Sequence, residues 1–314
     1  MNGIERARQY YEAFGKPMLE AQFPEIMDKI AVGVCGSGSD SFGYDDTTSR
    51  DHDMDPGFCI FLPEETVVDR RTAFLLERAY HKLPKTFDGL TRPLVNPVGG
   101  ARRGVLRRDD FFTAKTGFPD GSLPLEAWFR IPSYALAEAT NGAVFFDGDG
   151  RFTAIREKLK TYPPDVMKKK LAASLVLMAQ SGEYNFPRIL KHGETAAAAL
   201  ALYRYADAAL DAAFLLGERY RPFYKWSFRA LREIPAFATL ASPLEKLLTE
   251  GFDRENAEQK SALIGEIDRF IVEKLREKGL SDADGTDPEQ HAFAVNARIE
   301  DPALRNEHIL FAAP

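Results

Sequence analysis

Apolar residues near helical spacing run from Ile4 to Lys29, with a break around Gly15, Lys16 and Pro17, and predict two helices at the start of the chain. The pattern then changes to an unbroken apolar run, Ile30 to Cys35, closed by Gly36, which marks a short buried strand. A second run of this kind, Phe58 to Leu62, follows Gly36 to Asp55, a segment rich in Gly, Ser and Asp, so a polar loop is wedged between two core strands. Pro63 to Lys85 reads as helical, and Pro93 to Gly121 as loops with strand character around Val105 to Phe112. From Leu123 to Ile131, the residues Leu125, Ala127, Phe129 and Ile131 alternate with Glu126, Trp128 and Arg130, which predicts a half-buried strand. Asp147 to Gly150 reads as a turn, and beyond it Val166 to Ser181, Thr195 to Tyr220 and Lys225 to Leu231 are helical in composition. Ala196 to Leu216 has the Ala, Leu, Tyr and Phe content of a helix buried in a bundle. Ser281 to Pro314 begins acidic and loop-like and ends on Ile309, Leu310 and Phe311, which could dock it.

These elements predict an α+β domain over residues 1–150, with a small mixed sheet and flanking helices. A helical bundle over 151–280 and a C-terminal tail over 281–314 follow. The length of 314 residues is enough for about two cores. Lys and Arg number 41 against 47 Asp and Glu, a net charge of −6, so no global basic field draws in DNA. No stretch reaches the roughly 18 apolar residues of a membrane span, and the expected setting is the cytoplasm. Cys35 and Cys59 are too few for a disulfide framework and sit in apolar runs, where they read as buried small hydrophobes. Lys168, Lys169 and Lys170 read as a solvated helix face, with an RNA-contact patch as the lesser alternative.

The chemistry is concentrated in the polar loop, Gly36 to Asp55. Asp51 and Asp53 are two apart, and an extended backbone there puts both carboxylates on one face, where they can share a divalent cation. Mg2+ suits them, because it takes one or two carboxylates and completes its octahedron with water and substrate phosphates. Upstream, Gly38 and Ser39 form a turn after a buried strand that lets backbone N–H groups and a hydroxyl approach phosphate oxygens. An ordinary solvated Asp-rich loop is the competing reading, but it leaves like charges crowded at the entry to an apolar strand. An EF-hand fails because Pro56 and Leu62 stand where glycine and glutamate are needed. Glycines 36, 38 and 43 make no dinucleotide fingerprint, no Gly-Lys-Ser/Thr phosphate loop occurs, and five scattered histidines lack zinc spacing.

Gly38-Ser39, eleven intervening residues and Asp51-His52-Asp53 resemble the hallmark of the nucleotidyltransferase superfamily that includes DNA polymerase beta and the aminoglycoside nucleotidyltransferases. The wording of Asp45-Asp46, Ser49 to Asp53, Gly142 to Asp147, Tyr184-Asn185 and Tyr220 to Trp226 is similar to an uncharacterised bacterial branch of it. The resemblance implies transfer of a nucleoside monophosphate from a nucleoside triphosphate, with ATP the first expectation, to a hydroxyl of a small-molecule acceptor, with release of pyrophosphate. Asp51 and Asp53 would hold Mg2+, or Mn2+ in its place, and Gly38 and Ser39 would bind phosphate. A third carboxylate is implied, with Glu126 the candidate and Asp109 and Asp110 its rivals. Phe42 stands where the family often has a basic residue, and Asp40, Asp45 and Asp46 crowd the loop. Compensating cations are sought in Arg50 and in Arg188, Lys191, Arg204, Arg221 and Lys225, with Lys225 preferred. The alternatives are nucleotidylation of a protein or an RNA end, and a non-catalytic nucleotide-binding or interaction module.

Overall fold

The computed structural model describes residues 1–46, 56–92, 103–249, 251 and 256–313. It is a mixed α+β structure with a small sheet and many helices, and it divides into two compact units. One comprises Met1–Pro124 with Ala135–Lys160, the other Leu125–Tyr134 with Thr161–Pro314.

The first unit is built on four strands, β1 (Ala31–Val34), β2 (Cys59–Leu62), β5 (Gly104–Arg107) and β6 (Ala143–Asp147); β3 (Thr86–Phe87) and β4 (Leu90–Thr91) form a separate small hairpin. The sheet order is β5-β2-β1-β6. β1 runs antiparallel to both β2 and β6, whereas β2 and β5 are parallel. Every residue of β1 and β2 is buried, as their unbroken apolar runs require of strands covered on both faces. Cys35 and Cys59 are both buried, and burial pushes the Cys35 thiol up to about 12, where it has no nucleophilic character at neutral pH.

Helices pack on this sheet. The break expected at Gly15, Lys16 and Pro17 is instead a π-helical turn, Tyr11–Gly15, between helices Gly3–Tyr10 and Lys16–Gln22. Pro17 lies in the first turn of the second helix, where its missing N–H is tolerated, and Gly15 is required by contact, since a Cβ there would lie 2.2 Å from the Phe58 ring. Phe58 is fully buried, edge-on to Tyr11 and Tyr80, at the centre of the core.

The strand expected over Leu123 to Ile131 is a helix, Leu125–Arg130. Its buried residues are Ala127, Trp128 and then Ile131, the spacing of one helical face, and the alternation of Leu125, Ala127, Phe129 and Ile131 is coincidental.

The second unit is helical. Its middle is the helix Pro164–Met178, packed against Thr195–Leu216, Pro288–Ala297 and the 3-10 turn Ile309–Ala312. A helix covered on so many sides has little solvent face, which corrects the reading of the lysine run. Lys169 is fully buried and donates to Asn296 Oδ1 at 2.9 Å and to the Glu307 carbonyl at 2.7 Å, while Lys168 donates to Asp165 Oδ1 and the Arg298 carbonyl. No helix among the described residues is long and apolar enough to cross a membrane.

A second π-helical turn, Ala179–Asn185, also carries a glycine under a buried ring, Gly182 against Tyr205. Tyr205 Oη lies 2.8 Å from Asp268 Oδ1 and 3.1 Å from the Ile264 carbonyl. The phenol is the donor to both, and the shorter contact is the one to the carboxyl group. Burial, against the opposing pull of the Tyr205 hydrogen bond and with Glu183 and Asp287 adding to it, pushes Asp268 up to about 8. A carboxyl held neutral in the fold favours the native state least where the unfolded chain is ionised, so this contribution declines as pH rises from about 4 to about 8. Asp268→Asn, neutral at every pH, therefore raises the melting temperature at pH 8 by about 2–4 °C more than at pH 4, as measured by circular dichroism.

Candidate functional site

The strand directions gather four chain segments at one end of the sheet. β1 leaves the sheet after Val34; β2 begins opposite it, with Cys59 paired to Gly33; β5 begins beside β2, with Gly104 paired to Cys59; and β6 begins with Ala143 opposite Val34. The loop after β1, the residues before Cys59, Arg103 and Asn141 therefore lie at the same sheet end. Asp109 and Asp110 follow β5 at its far end, on the first turn of the helix Arg108–Thr116, and so lie away from the loop.

The loop is held from both sides. Asn141 accepts from Gly36 N–H at 2.9 Å and donates to the Gly36 carbonyl at 2.8 Å, a reciprocal pair that fixes the chain as it leaves β1. Gly38 has φ 117° and ψ 145°, a conformation essentially reserved for glycine, and it leads into the one-turn helix Ser39–Phe42, which Gly43 ends with φ 71°. Gly38 is half-buried and Ser39 is buried.

The acidic crowding read from the sequence is resolved by cations that sequence reasoning passed over. Asp40 is buried and paired with Arg103, whose guanidinium also donates to Ser41 Oγ at 3.2 Å. Asp45 accepts from Gly3 N–H at 2.9 Å and lies 3.8 Å from Arg6, which is itself buried. These two carboxylates are engaged, and the loop is less anionic than its composition suggests. Arg6 and Arg103 stand far from the loop in sequence, and nothing in their immediate surroundings signals the pairing.

Arg50, Asp51 and Asp53 lie outside the described residues. Among the described residues, no group of three or more His, Cys, Asp or Glu side chains is placed to hold a metal. Glu126 is an exposed residue on the first turn of Leu125–Arg130, in the second unit, so the strand alternation that nominated it does not exist. Lys225 is also in the second unit, exposed on the turn Tyr224–Trp226, with its ammonium 5.2 Å from the Trp226 ring. Arg221 is committed elsewhere: it donates to Asp211 Oδ1 at 2.9 Å, Asp207 Oδ1 at 2.6 Å and Ser227 Oγ at 3.0 Å. Arg188 donates to the Tyr184 hydroxyl at 2.7 Å.

The second unit contains a cavity of 480 Å³. Its wall includes Phe129, Tyr134, Tyr162, Phe214, Phe223 and Tyr224, with Lys170, Asp207, Asp211 and Arg221 among them. Arg221 closes one side, tying Asp207 and Asp211 together and donating its backbone N–H to Ser133 Oγ at 2.8 Å. Burial raises the Asp211 carboxyl, against the opposing pull of Arg221. None of this was legible in sequence, because the wall draws on segments around residues 130, 170, 210 and 220.

Residues 128–227 match the model of a domain of unknown function, DUF4037. That segment contains every residue of the cavity wall except Ala312 and Ala313. A search of curated proteins finds no match. Among solved structures, a nucleotidyltransferase-like protein from Exiguobacterium sibiricum is similar over 90% of this chain and 80% of its own, at 12% identity and a TM-score of 0.36.

Proposed function

We propose that the protein is a Mg2+-dependent nucleotidyltransferase that moves a nucleoside monophosphate from a nucleoside triphosphate, ATP first among them, to a hydroxyl of a small-molecule acceptor. The observation that carries the reading is the convergence at one sheet end of the glycine-serine turn after β1 with the start of β2, the strand into which the acidic run leads. Asp51 and Asp53 are the residues that would hold the metal, and their carboxylates are the hard oxygen donors Mg2+ prefers. Bound there, the ion would supply charge neutralisation at the triphosphate.

The chain's own groups have separate tasks. Gly38 brings backbone close to the phosphates, and its positive φ is what permits that approach. Arg103 and Arg6 neutralise Asp40 and Asp45, so two of the loop's own anions are already compensated where the triphosphate would bind. Arg50, adjacent to the aspartate pair in sequence, is the cation assigned to the phosphates. Asp51 and Asp53 suffice for this reading, because Mg2+ binds through one or two carboxylates with phosphates and water completing its shell. Glu126 is not part of it.

The test is a thermal-shift comparison of the wild type and Asp53→Asn with ATP, GTP, CTP and UTP, each with and without Mg2+. A nucleotide at about 100 times its Kd stabilises the native state by about 2.7 kcal/mol. At least one nucleotide should raise the midpoint only when Mg2+ is present, and Asp53→Asn should lose that rise. Stabilisation that ignores both Mg2+ and the substitution favours the non-catalytic nucleotide-binding module, and no stabilisation by any nucleotide overturns the proposal.

A further inference from the structure

Lys170, in the wall of the cavity, has no oxygen partner for its ammonium among the described residues. Its ammonium lies 5.7 Å from the centre of the Phe129 ring and 5.4 Å from that of Tyr162, and no hydrogen bond or ion pair reaches it among the described residues. Burial lowers its pKa, and the charge on Asp211 opposes that only in part. The neighbouring Asp207 and Asp211 pair instead with the Arg221 guanidinium and make no hydrogen bond to Lys170. An ammonium only partly exposed and facing ring electrons retains its demand for an oxygen acceptor.

That demand opens into a space suited to a molecule. A volume of 480 Å³ lies within the range of small-molecule sites, and the wall combines six aromatic side chains with converging charged groups, Lys170, Asp207, Asp211 and Arg221 among them. Tyr134 and Phe223, both partly exposed, meet edge to face with centroids 5.6 Å apart, and Tyr224 packs on Phe223 at 4.6 Å, so the aromatic surface continues out of the cavity. Arg130 and Arg219, exposed at the edge, give an approaching anion a favourable field.

We propose that this cavity binds a small organic anion, a flat apolar body between the aromatic side chains with its oxyanion on the Lys170 ammonium. The oxyanion is a carboxylate or a phosphate ester, since an ammonium accepts either as a point charge. The inference is independent of nucleotidyl transfer, for no residue of the sheet unit enters it.

The test is calorimetric titration with two matched pairs of probes, indole-3-acetate with indole-3-acetamide and phenyl phosphate with phenol. At least one anion should bind about ten-fold more tightly than its neutral partner, and the stronger anion identifies the carboxylate or the phosphate source. Lys170→Met should erase the preference with no loss of melting temperature, since it replaces a partly desolvated ammonium with an apolar chain of similar length. Phe223→Ala, at a partly exposed position, should weaken both members of a pair alike. Equal binding of anion and neutral partner, a preference that survives in Lys170→Met, or no binding of any probe at about 5 mM would each overturn the proposal.

Discussion

Asp51→Asn and Asp53→Asn each lower nucleotidyl transfer by about 100-fold or more, a barrier increase of about 2.7 kcal/mol, and leave the melting temperature within about 2 °C of the wild type. The amide keeps the shape of the carboxylate and removes its charge, so packing is preserved while a hard divalent cation loses an anionic ligand. The measurement is pyrophosphate release at saturating nucleotide with an acceptor that supports turnover. Glu126→Gln in the same assay should match the wild type, because Glu126 is a solvent-exposed helix residue. Full turnover in both aspartate variants would refute the site assignment, and a loss in Glu126→Gln would restore a role to that residue.

Arg103→Met lowers the stability of the sheet unit by about 3–5 kcal/mol. Asp40 and Arg103 have side chains only 6% and 3% exposed, and removing the cation strands a carboxylate that water cannot reach. The cost therefore comes less from the lost attraction than from the charge left behind. Adding Asp40→Asn to Arg103→Met should recover most of the loss, because the remaining amide is neutral. Denaturant unfolding of the two variants and the wild type measures this. A loss below about 1 kcal/mol in the single variant would mean that Asp40 finds solvent or another partner.

What the sequence revealed, and what it did not, follows from how far apart the interacting residues lie. The runs Ile30 to Cys35 and Phe58 to Leu62 are local signals, and both are buried strands. The glycine-serine turn was legible for the same reason, since Gly38 is needed for its own backbone conformation. Leu123 to Ile131 was misread because alternate residues happened to be apolar, whereas burial fell on Ala127, Trp128 and Ile131. The three lysines failed differently: composition makes lysine a surface residue, and only the packing of distant segments around Pro164–Met178 made Lys169 interior. The partners of Asp40 and Asp45, and the cavity around Lys170, depend on contacts across large sequence separations, which periodicity and spacing do not record.

The burial of Lys169 also constrains the order of events during synthesis. Its two hydrogen-bond acceptors belong to residues 296 and 307, more than a hundred positions later. Until those residues have left the ribosome, the helix Pro164–Met178 carries an ammonium at a position its bundle must keep dry, so the bundle cannot close around it. The helical unit therefore completes its core only after residue 307 has been made. The nascent chain keeps that apolar face uncovered for longer than a bundle folded from neighbouring helices would, and chaperone dependence of this unit should exceed what its helical content alone suggests.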